Sequence, residues 1–406
     1  MINEIKQVVK ANKLPALMVF VAFCTILGPT AKFVNSYIYY AALGIFAIFN
    51  FGGNNTKVSA AYIALIIGAV ASLTFNDVLP EFKAWQRLLF FGTMIIPISS
   101  FIENDKFRIK RLYAFNFTLW MSVFVGVASF ICYLFGINFM YNFVSGEYSI
   151  NTAGWFGGIT VHSMLMGPVS ALGATFMTWY VTDGAARNKK KRYMYYFCIF
   201  ACVAAAILSA SRGSTVAAVL GSAVVYLLRN GKSGGKITTG LLGLLFIGIV
   251  IQPLMTPFTA MLMEKQSRNI ESGGTFESRQ GKWENRIEEF ESSPIYGSGF
   301  CTVSANSSDY SEGGIVETGT SWLAVLSMLG IVGAICIFVI VFKPVMLIYR
   351  RMNRTDVLFF GIFCVFLLHM ATEGYIFAGG NFMFFCFWLF VGAMHAYLSN
   401  PNYKFV

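Results

Sequence analysis

The chain has 406 residues, of which 56% are hydrophobic and only 12% charged, with a formal net charge of +11. Soluble globular chains carry roughly 25% charged residues, so this one lacks the polar residues to cover a water-facing surface. That excludes a secreted disulfide scaffold, a nucleic-acid-binding domain and a cytosolic enzyme. It predicts an all-α polytopic membrane protein.

Twelve apolar segments follow in chain order: Leu14–Gly28, Val34–Phe51, Val58–Phe75, Trp85–Phe101, Leu112–Ile137, Ile159–Val181, Tyr193–Ala210, Gly213–Leu228, Ile237–Met255, Trp322–Phe342, Val357–Ala371 and Phe382–Leu398. A bilayer core takes about 17–25 residues per helical span, and the shorter segments are tolerable if flanking residues snorkel. Only Ser211 and Arg212 divide the seventh from the eighth. The combined run is too long for one crossing, so a tight hairpin is predicted there. The first segment lacks a small-x-small cleavage pattern and reads as an uncleaved anchor. No short repeat and no similarity between the halves is evident.

Orientation follows from the basic residues. With the N-terminus inside, 21 of the 30 Lys and Arg residues fall on the inner side, which the positive-inside rule assigns to the cytoplasm together with both termini. The inner clusters are Lys106, Arg108, Lys110 and Arg111; Arg187, Lys189, Lys190, Lys191 and Arg192; and Lys343, Arg350, Arg351 and Arg354. Anionic membrane lipids are the partner this excess implies.

Residues 256–321 break the pattern, with ten of the nineteen acidic residues and a local net charge of −5. The chain therefore divides into spans 1–9 (1–255), a large external loop (256–321) and spans 10–12 with the C-terminus (322–406). Within the loop a helix is predicted from Ser278 to about Glu291, ended by Ser292-Ser293-Pro294. Trp283, Ile287 and Phe290 form one apolar face, and Arg279, Lys282 and Arg286 a separate basic one. The basic face is either simply solvated or free for an anion.

Charged and titratable residues near the outer side are the site candidates. Arg212 lies in Ser-Ala-Ser-Arg-Gly-Ser-Thr, ahead of a small-residue face of Gly213, Ala217 and Gly221 that lets helices approach closely. It either snorkels to headgroups or grips phosphate oxygens with its planar fork. His162 lies in span six, His369 and Glu373 near the outer end of span eleven, and Glu317 just before span ten. The cysteines include no CxxC pair, and no Asp-x-Asp or His/Asp ligand spacing occurs. Neither a metal nor a cofactor is expected.

Four motifs carry a resemblance. Ser211-Arg212-Gly213 resembles the Ser-Arg-Gly signature of the O-antigen ligase and O-antigen polymerase superfamily. Arg279-Gln280-Gly281-Lys282-Trp283 looks like that family's external-loop helix, and Pro294-Ile295-Tyr296-Gly297-Ser298-Gly299-Phe300 its Pro–Ile/Leu–x–Gly–x–Gly turn. Residues Trp322 to Gly333 are similar to the glycine-containing start of the helix that follows. Together these cover roughly residues 195–345.

The resemblance implies a GT-C-like fold of about twelve spans with one large, partly helical periplasmic loop between spans nine and ten. It implies metal-independent glycosyl transfer from undecaprenyl-diphosphate-linked glycan at the periplasmic face of a bacterial inner membrane. Arg212 and Arg279 fall on the family's diphosphate-binding arginines, with Arg286 or Lys282 as a third donor. Glu317 is the candidate general base and His162 the second choice, while Trp283, Tyr296 and Tyr310 are candidates to stack on sugars. Ligases carry a His-Asn pair where Gly319 and Thr320 stand here, so a polymerase is favoured over a ligase. Its acceptor is then a lipid-linked repeat unit rather than lipid A–core, with a chain-length regulator as a further partner. A lipid-linked glycan flippase is the alternative from another class, but it requires no long structured loop and should show two related halves.

The orientation is tested with reporter fusions. One near Asn306 is expected to behave as periplasmic and one at Lys190 as cytoplasmic; the reverse at either site overturns the topology.

Overall fold

A run such as Phe382–Ser399, apolar on every side, has no face to give to water and is buried from all directions. It packs mainly against the helix Asp105–Leu134. The computed structural model describes residues 12–142, 147–148, 156–183, 189–230, 277–303, 316, 318–403 and 405. The ninth predicted segment and most of the large loop lie outside these.

The longer helices among the described residues are α1 (Lys13–Cys24), α2 (Ser36–Phe51), α3 (Ala60–Thr74), α4 (Ala84–Ile98), α5 (Asp105–Leu134), α6 (Ser163–Thr182), α7 (Lys189–Leu208), α8 (Arg212–Asn230), α9 (Glu277–Ser292), α10 (Ser321–Arg351), α11 (Arg354–Met370) and α12 (Phe382–Ser399). All but α9 coincide with predicted apolar segments; α9 is the loop helix. Among the described residues four helices, α5, α7, α10 and α12, are long and apolar enough to cross a membrane, while α1, α2 and α3 are apolar but shorter. The protein is mostly helical, and the twelve-span count remains an expectation.

Short connections make successive helices alternate in direction, so two sets of loops form. At one end the two-residue strands Lys57–Val58 and Ile102–Glu103 pair antiparallel, Asn104 donates to the Asn50 carbonyl at 2.9 Å, and Arg351 makes a two-pronged contact with Asp356 at 2.6 and 2.9 Å. Asparagines start several helices: Asn104, Asn353 and Asn381 accept backbone N–H groups of α5, α11 and α12, satisfying donors that a helix start leaves open.

Arg111 belongs to the basic cluster that oriented the chain, yet it is fully buried. Its Nε and Nη2 donate to the carbonyls of Pro97 and Ile96 at 2.9 and 2.7 Å. These are last-turn carbonyls of α4, where a cation is favourable and intrahelical donors run out. One charge of the positive-inside signal is therefore a helix cap.

The predicted hairpin is present: α7 ends at Leu208 and α8 begins at Arg212, with Ala210 left-handed at φ 52°. The small-residue face of α8 also packs as predicted. A Cβ on Gly221 would lie 2.5 Å from Val365 of α11 and 2.7 Å from the Thr175 hydroxyl of α6.

One feature was invisible in the hydropathy. α10 is broken at Gly330, with φ 61° and ψ −158°, and the turn Pro294–Gly299 is keyed into the break. Ile331 N donates to the Pro294 carbonyl at 2.8 Å, Val332 N to Ile295 at 3.3 Å, and Ser298 N to the Ser327 carbonyl at 2.7 Å. The turn thus supplies partners that the helix gives up, as a break among apolar helices requires. A Cβ on Gly330 would lie 2.4 Å from the Ile295 oxygen, and one on Gly297 2.2 Å from the Met328 carbonyl carbon. Both motif glycines serve this one contact.

Gly330→Ala adds a left-handed penalty of about 1–2 kcal/mol to an overpacking cost of about 1–3 kcal/mol. The variant is expected to show a clearly lower thermal unfolding midpoint in detergent. Wild-type stability would mean that the break does not need its glycine.

Candidate active site

The end of the molecule opposite the Arg351–Asp356 pair gathers the residues singled out in the sequence, and the loop between α11 and α12 holds them together. Ser321 N and Oγ donate to the Glu373 carbonyl at 3.1 and 2.7 Å, and Tyr375 N donates back to Ser321 Oγ at 3.0 Å. Thr320 Oγ1 donates to the Met370 carbonyl at 3.2 Å. The first residues of α10 are thereby fixed against residues 370–375.

Three further segments reach the same place. A Cβ on Gly213 would lie 2.3 Å from the Thr372 hydroxyl, which puts the exposed Arg212 beside that loop. A Cβ on Gly374 would overlap the Thr318 hydroxyl, and one on Gly319 would lie 3.0 Å from Lys282 of α9. The Arg212 hairpin and the Thr318–Ser321 turn therefore meet a single loop, and Lys282 lies against that turn at Gly319. Glu317 and Tyr310 lie outside the described residues, as does the Arg279 side chain; the Arg279 backbone is in α9 one turn before Lys282. Val316 and Thr318 bracket the Glu317 position.

His162 precedes α6 rather than lying inside it. Half-buried, it accepts the Met164 N–H on Nδ1 at 3.1 Å, the geometry of a helix-capping side chain. One turn further, a Cβ on Gly167 would meet the hydroxyls of Ser209 and Ser214, both at 2.6 Å, so α6 starts beside the Arg212 hairpin. His369 is buried, with Nδ1 3.2 Å from the Tyr375 hydroxyl. Burial, then the Glu373 carboxylate, holds the Tyr375 phenol well above its ordinary range, so it stays a neutral donor. His395 lies at the far end, its Nε2 donating to the Ile340 carbonyl at 2.9 Å.

The loop helix departs from its predicted faces. Ile287, assigned to the apolar face, is 45% exposed, whereas Arg286, assigned to the open basic face, is fully buried. Arg286 Nη2 pairs with Glu289 at 2.6 Å and its Nη1 donates to the Thr302 carbonyl at 3.4 Å. The i,i+3 partner neutralises the arginine and lets both turn inward. Arg286, expected as one choice of third phosphate donor, is thus buried against Glu289 rather than presented on an open face. Trp283 and Phe290 are partly buried, as an anchoring face requires.

Arg87, in the first turn of α4, joins this end although no motif marks it. It donates from Nη1 to the Cys301 carbonyl at 3.4 Å and faces a cavity of about 440 Å3 that Thr318, Asn381 and Tyr40 also line. The Cys301 thiol is buried against this wall; burial pushes it up to about 12, with Arg87 pulling the other way, which leaves the thiol unreactive. The sequence signal for this wall was the glycine density of Gly374, Gly379 and Gly380, unremarkable in an apolar chain.

The helical fold and this polar end define a polytopic-type membrane protein with its candidate site at one end of the bundle. Residues 197–338, from within α7 into α10, match the family described as O-Antigen ligase. Over that stretch the chain is similar to this family. The matched stretch contains Arg212, all of α9, the Pro294–Gly299 turn and Gly330. No match was found among curated proteins.

The buried pair gives a direct test. Removing one partner strands a buried charge, at a cost of about 3–5 kcal/mol. Glu289→Gln is therefore expected to lower stability sharply, while Arg286→Met combined with Glu289→Leu restores it. A Glu289→Gln variant of normal stability would contradict the pairing.

Proposed function

We propose that the protein polymerises undecaprenyl-diphosphate-linked repeat units into surface polysaccharide at the periplasmic face of a bacterial inner membrane. The observation that carries this reading is the meeting of the Arg212 hairpin and the Thr318–Ser321 turn at residues 372–375, with Lys282 against that turn at Gly319, within and beside the O-antigen ligase stretch. Cations gathered at a helix start suit a diphosphate, because the first N–H groups of α8 add their own positive field.

In the reaction an acceptor hydroxyl oxygen bonds to the anomeric carbon of the donor glycan while the bond from that carbon to the diphosphate oxygen breaks. The undecaprenyl diphosphate leaves with the bonding electrons. Arg212 and Arg279, with Lys282, stabilise the negative charge that develops on it. The hydroxyl proton passes to a base, which we assign to Glu317 because it sits at the start of α10, next to Thr318. His162 and Glu373 are the other groups at this end. The polymerase branch is favoured over attachment to lipid A–core by Gly319 and Thr320, which offer no imidazole where ligases have one.

Incubating purified protein in detergent with lipid-linked repeat units, with and without lipid A–core, separates the readings. A ladder of lengthened glycan is expected without core. Product only in the presence of core makes it a ligase, and no turnover leaves the flippase. Arg212→Ala is expected to lose roughly a hundredfold in rate, with Arg212→Lys also poor because a point charge cannot reproduce bidentate binding. Glu317→Gln is expected to bind donor yet lose about 10²–10⁴-fold in turnover. Normal rates in these variants would remove the clamp and the base respectively.

A further inference from the structure

A second cavity, of about 560 Å3, lies where the chain leaves α3 and enters α4. It adjoins the Pro294–Gly299 turn: Asn76 donates to the Gly297 carbonyl at 2.9 Å, and a Cβ on Gly299 would come 2.9 Å from Val78. None of the residues assigned to glycosyl transfer line it. Its volume falls within the roughly 300–1,000 Å3 usual for small-molecule sites, and its wall carries one anion and one cation, Asp77 and Lys83. Both are exposed, and neither side chain forms an ion pair or a hydrogen bond among the described residues. The cavity thus presents a free positive and a free negative group together.

The local backbone does not account for the lysine. Lys83 precedes α4 in the left-handed region, at φ 47°, where a residue with a Cβ is strained and glycine is not. Its side chain caps no N–H of the helix it introduces. A lysine at a position that suits glycine, with no internal partner, has its use outside the chain.

The surroundings say what kind of molecule that is. Trp85 and Leu89, one turn apart on α4, are 55% and 65% exposed, and Phe75 at the end of α3 is 70% exposed. In a membrane such side chains face acyl chains, with tryptophan at the level of the headgroups. A cavity lined by Trp85 is therefore reached from the lipid, and opposite free charges at that level match a zwitterion. A purely anionic headgroup would answer Lys83 but meet like charge at Asp77.

We infer that this cavity holds the headgroup of a phosphatidylethanolamine-type lipid, with Lys83 on its phosphate and Asp77 accepting from its ammonium, while the acyl chains run past Trp85 and Leu89. The ethanolamine headgroup carries both charges, two carbons apart, and its ammonium donates hydrogen bonds that a choline cannot. A lipid held there would also brace the adjoining turn through Asn76 and Val78. The site is independent of the glycosyl-transfer reading.

The test titrates the detergent-purified full-length protein with phosphatidylethanolamine, phosphatidylcholine or phosphatidylglycerol of equal chain length. Bound lipid is read by native mass spectrometry, and the thermal unfolding midpoint is followed in parallel. The wild type is expected to bind phosphatidylethanolamine about five- to tenfold tighter than either other lipid, with a raised midpoint. Asp77→Asn is expected to bring that binding down to the level of phosphatidylcholine. Lys83→Gly is expected to weaken all three lipids about tenfold, although its lipid-free midpoint is equal or higher because the strained φ is relieved. A lysine needed only for folding would show no such loss. Equal binding of the three lipids by the wild type overturns the site, and unchanged binding in either variant overturns the contact assigned to it. Tightest binding of phosphatidylglycerol overturns the ammonium contact. O-phosphoethanolamine, the headgroup without its chains, is expected to give no midpoint shift at the same concentration; a shift equal to the lipid's would make the ligand a soluble phosphate and overturn the lipid.

Discussion

The insertion of the Pro294–Gly299 turn into the break at Gly330 is the contact on which the rest of that end of the molecule depends. An unbroken α10 would satisfy its own backbone and leave the turn nothing to hold. Broken, it offers the Ser327 carbonyl and the Ile331 N–H, and the turn takes both. Asn76 then donates to the Gly297 carbonyl at 2.9 Å and Phe300 N to Ser72 Oγ at 3.1 Å, tying the same turn to α3. Because the turn follows α9 directly, this knot also fixes where Lys282 and the buried Arg286–Glu289 pair sit. Two stretches that look like separate motifs in the sequence are halves of one joint.

Arginine does three different jobs here, and its surroundings decide which. Arg111 meets carbonyls that α4 cannot satisfy itself and becomes a cap. Arg286 meets a carboxylate one turn away and becomes a strut. Arg212 begins a helix, exposed, where the dipole repels it, so its place adds nothing to the stability of that helix. The positive-inside count treats all three alike because it adds charges without asking what each one touches.

That distinction explains how much could be read before the structure. Helix positions were legible because bilayer thickness and apolar run length constrain each other, and the α7–α8 hairpin because one helix cannot use so long a run. The small face of α8 was legible because Gly213, Ala217 and Gly221 share a helical period. The break at Gly330 was not, since its neighbours Leu329 and Ile331 are as apolar as any span interior. The inward turn of Arg286 was missed because periodicity sorts residues by type, whereas Glu289 changes the cost of burying its partner. The role of residues 370–375 depends on contacts with α8 and the start of α10 that no local pattern encodes. Glu373 was noticed for its charge, yet it is its backbone carbonyl that binds Ser321.

The α11–α12 loop also divides the site by chemistry. On the Thr372 side stands Arg212 at the positive start of a helix, which suits an anion that stays charged throughout a transfer. On the Gly374 side lies a cavity walled by aromatics and lined also by Arg87, Asn381 and Tyr40. Keeping the two apart has a physical reason. A hydroxyl next to the diphosphate cations would compete with the leaving group for them, and a cavity rich in charge would draw water as a rival acceptor. In the proposed reaction such a thin wall of loop backbone, with glycine at position 374 so that Thr318 fits against it, would keep the two sides separate yet within reach of each other.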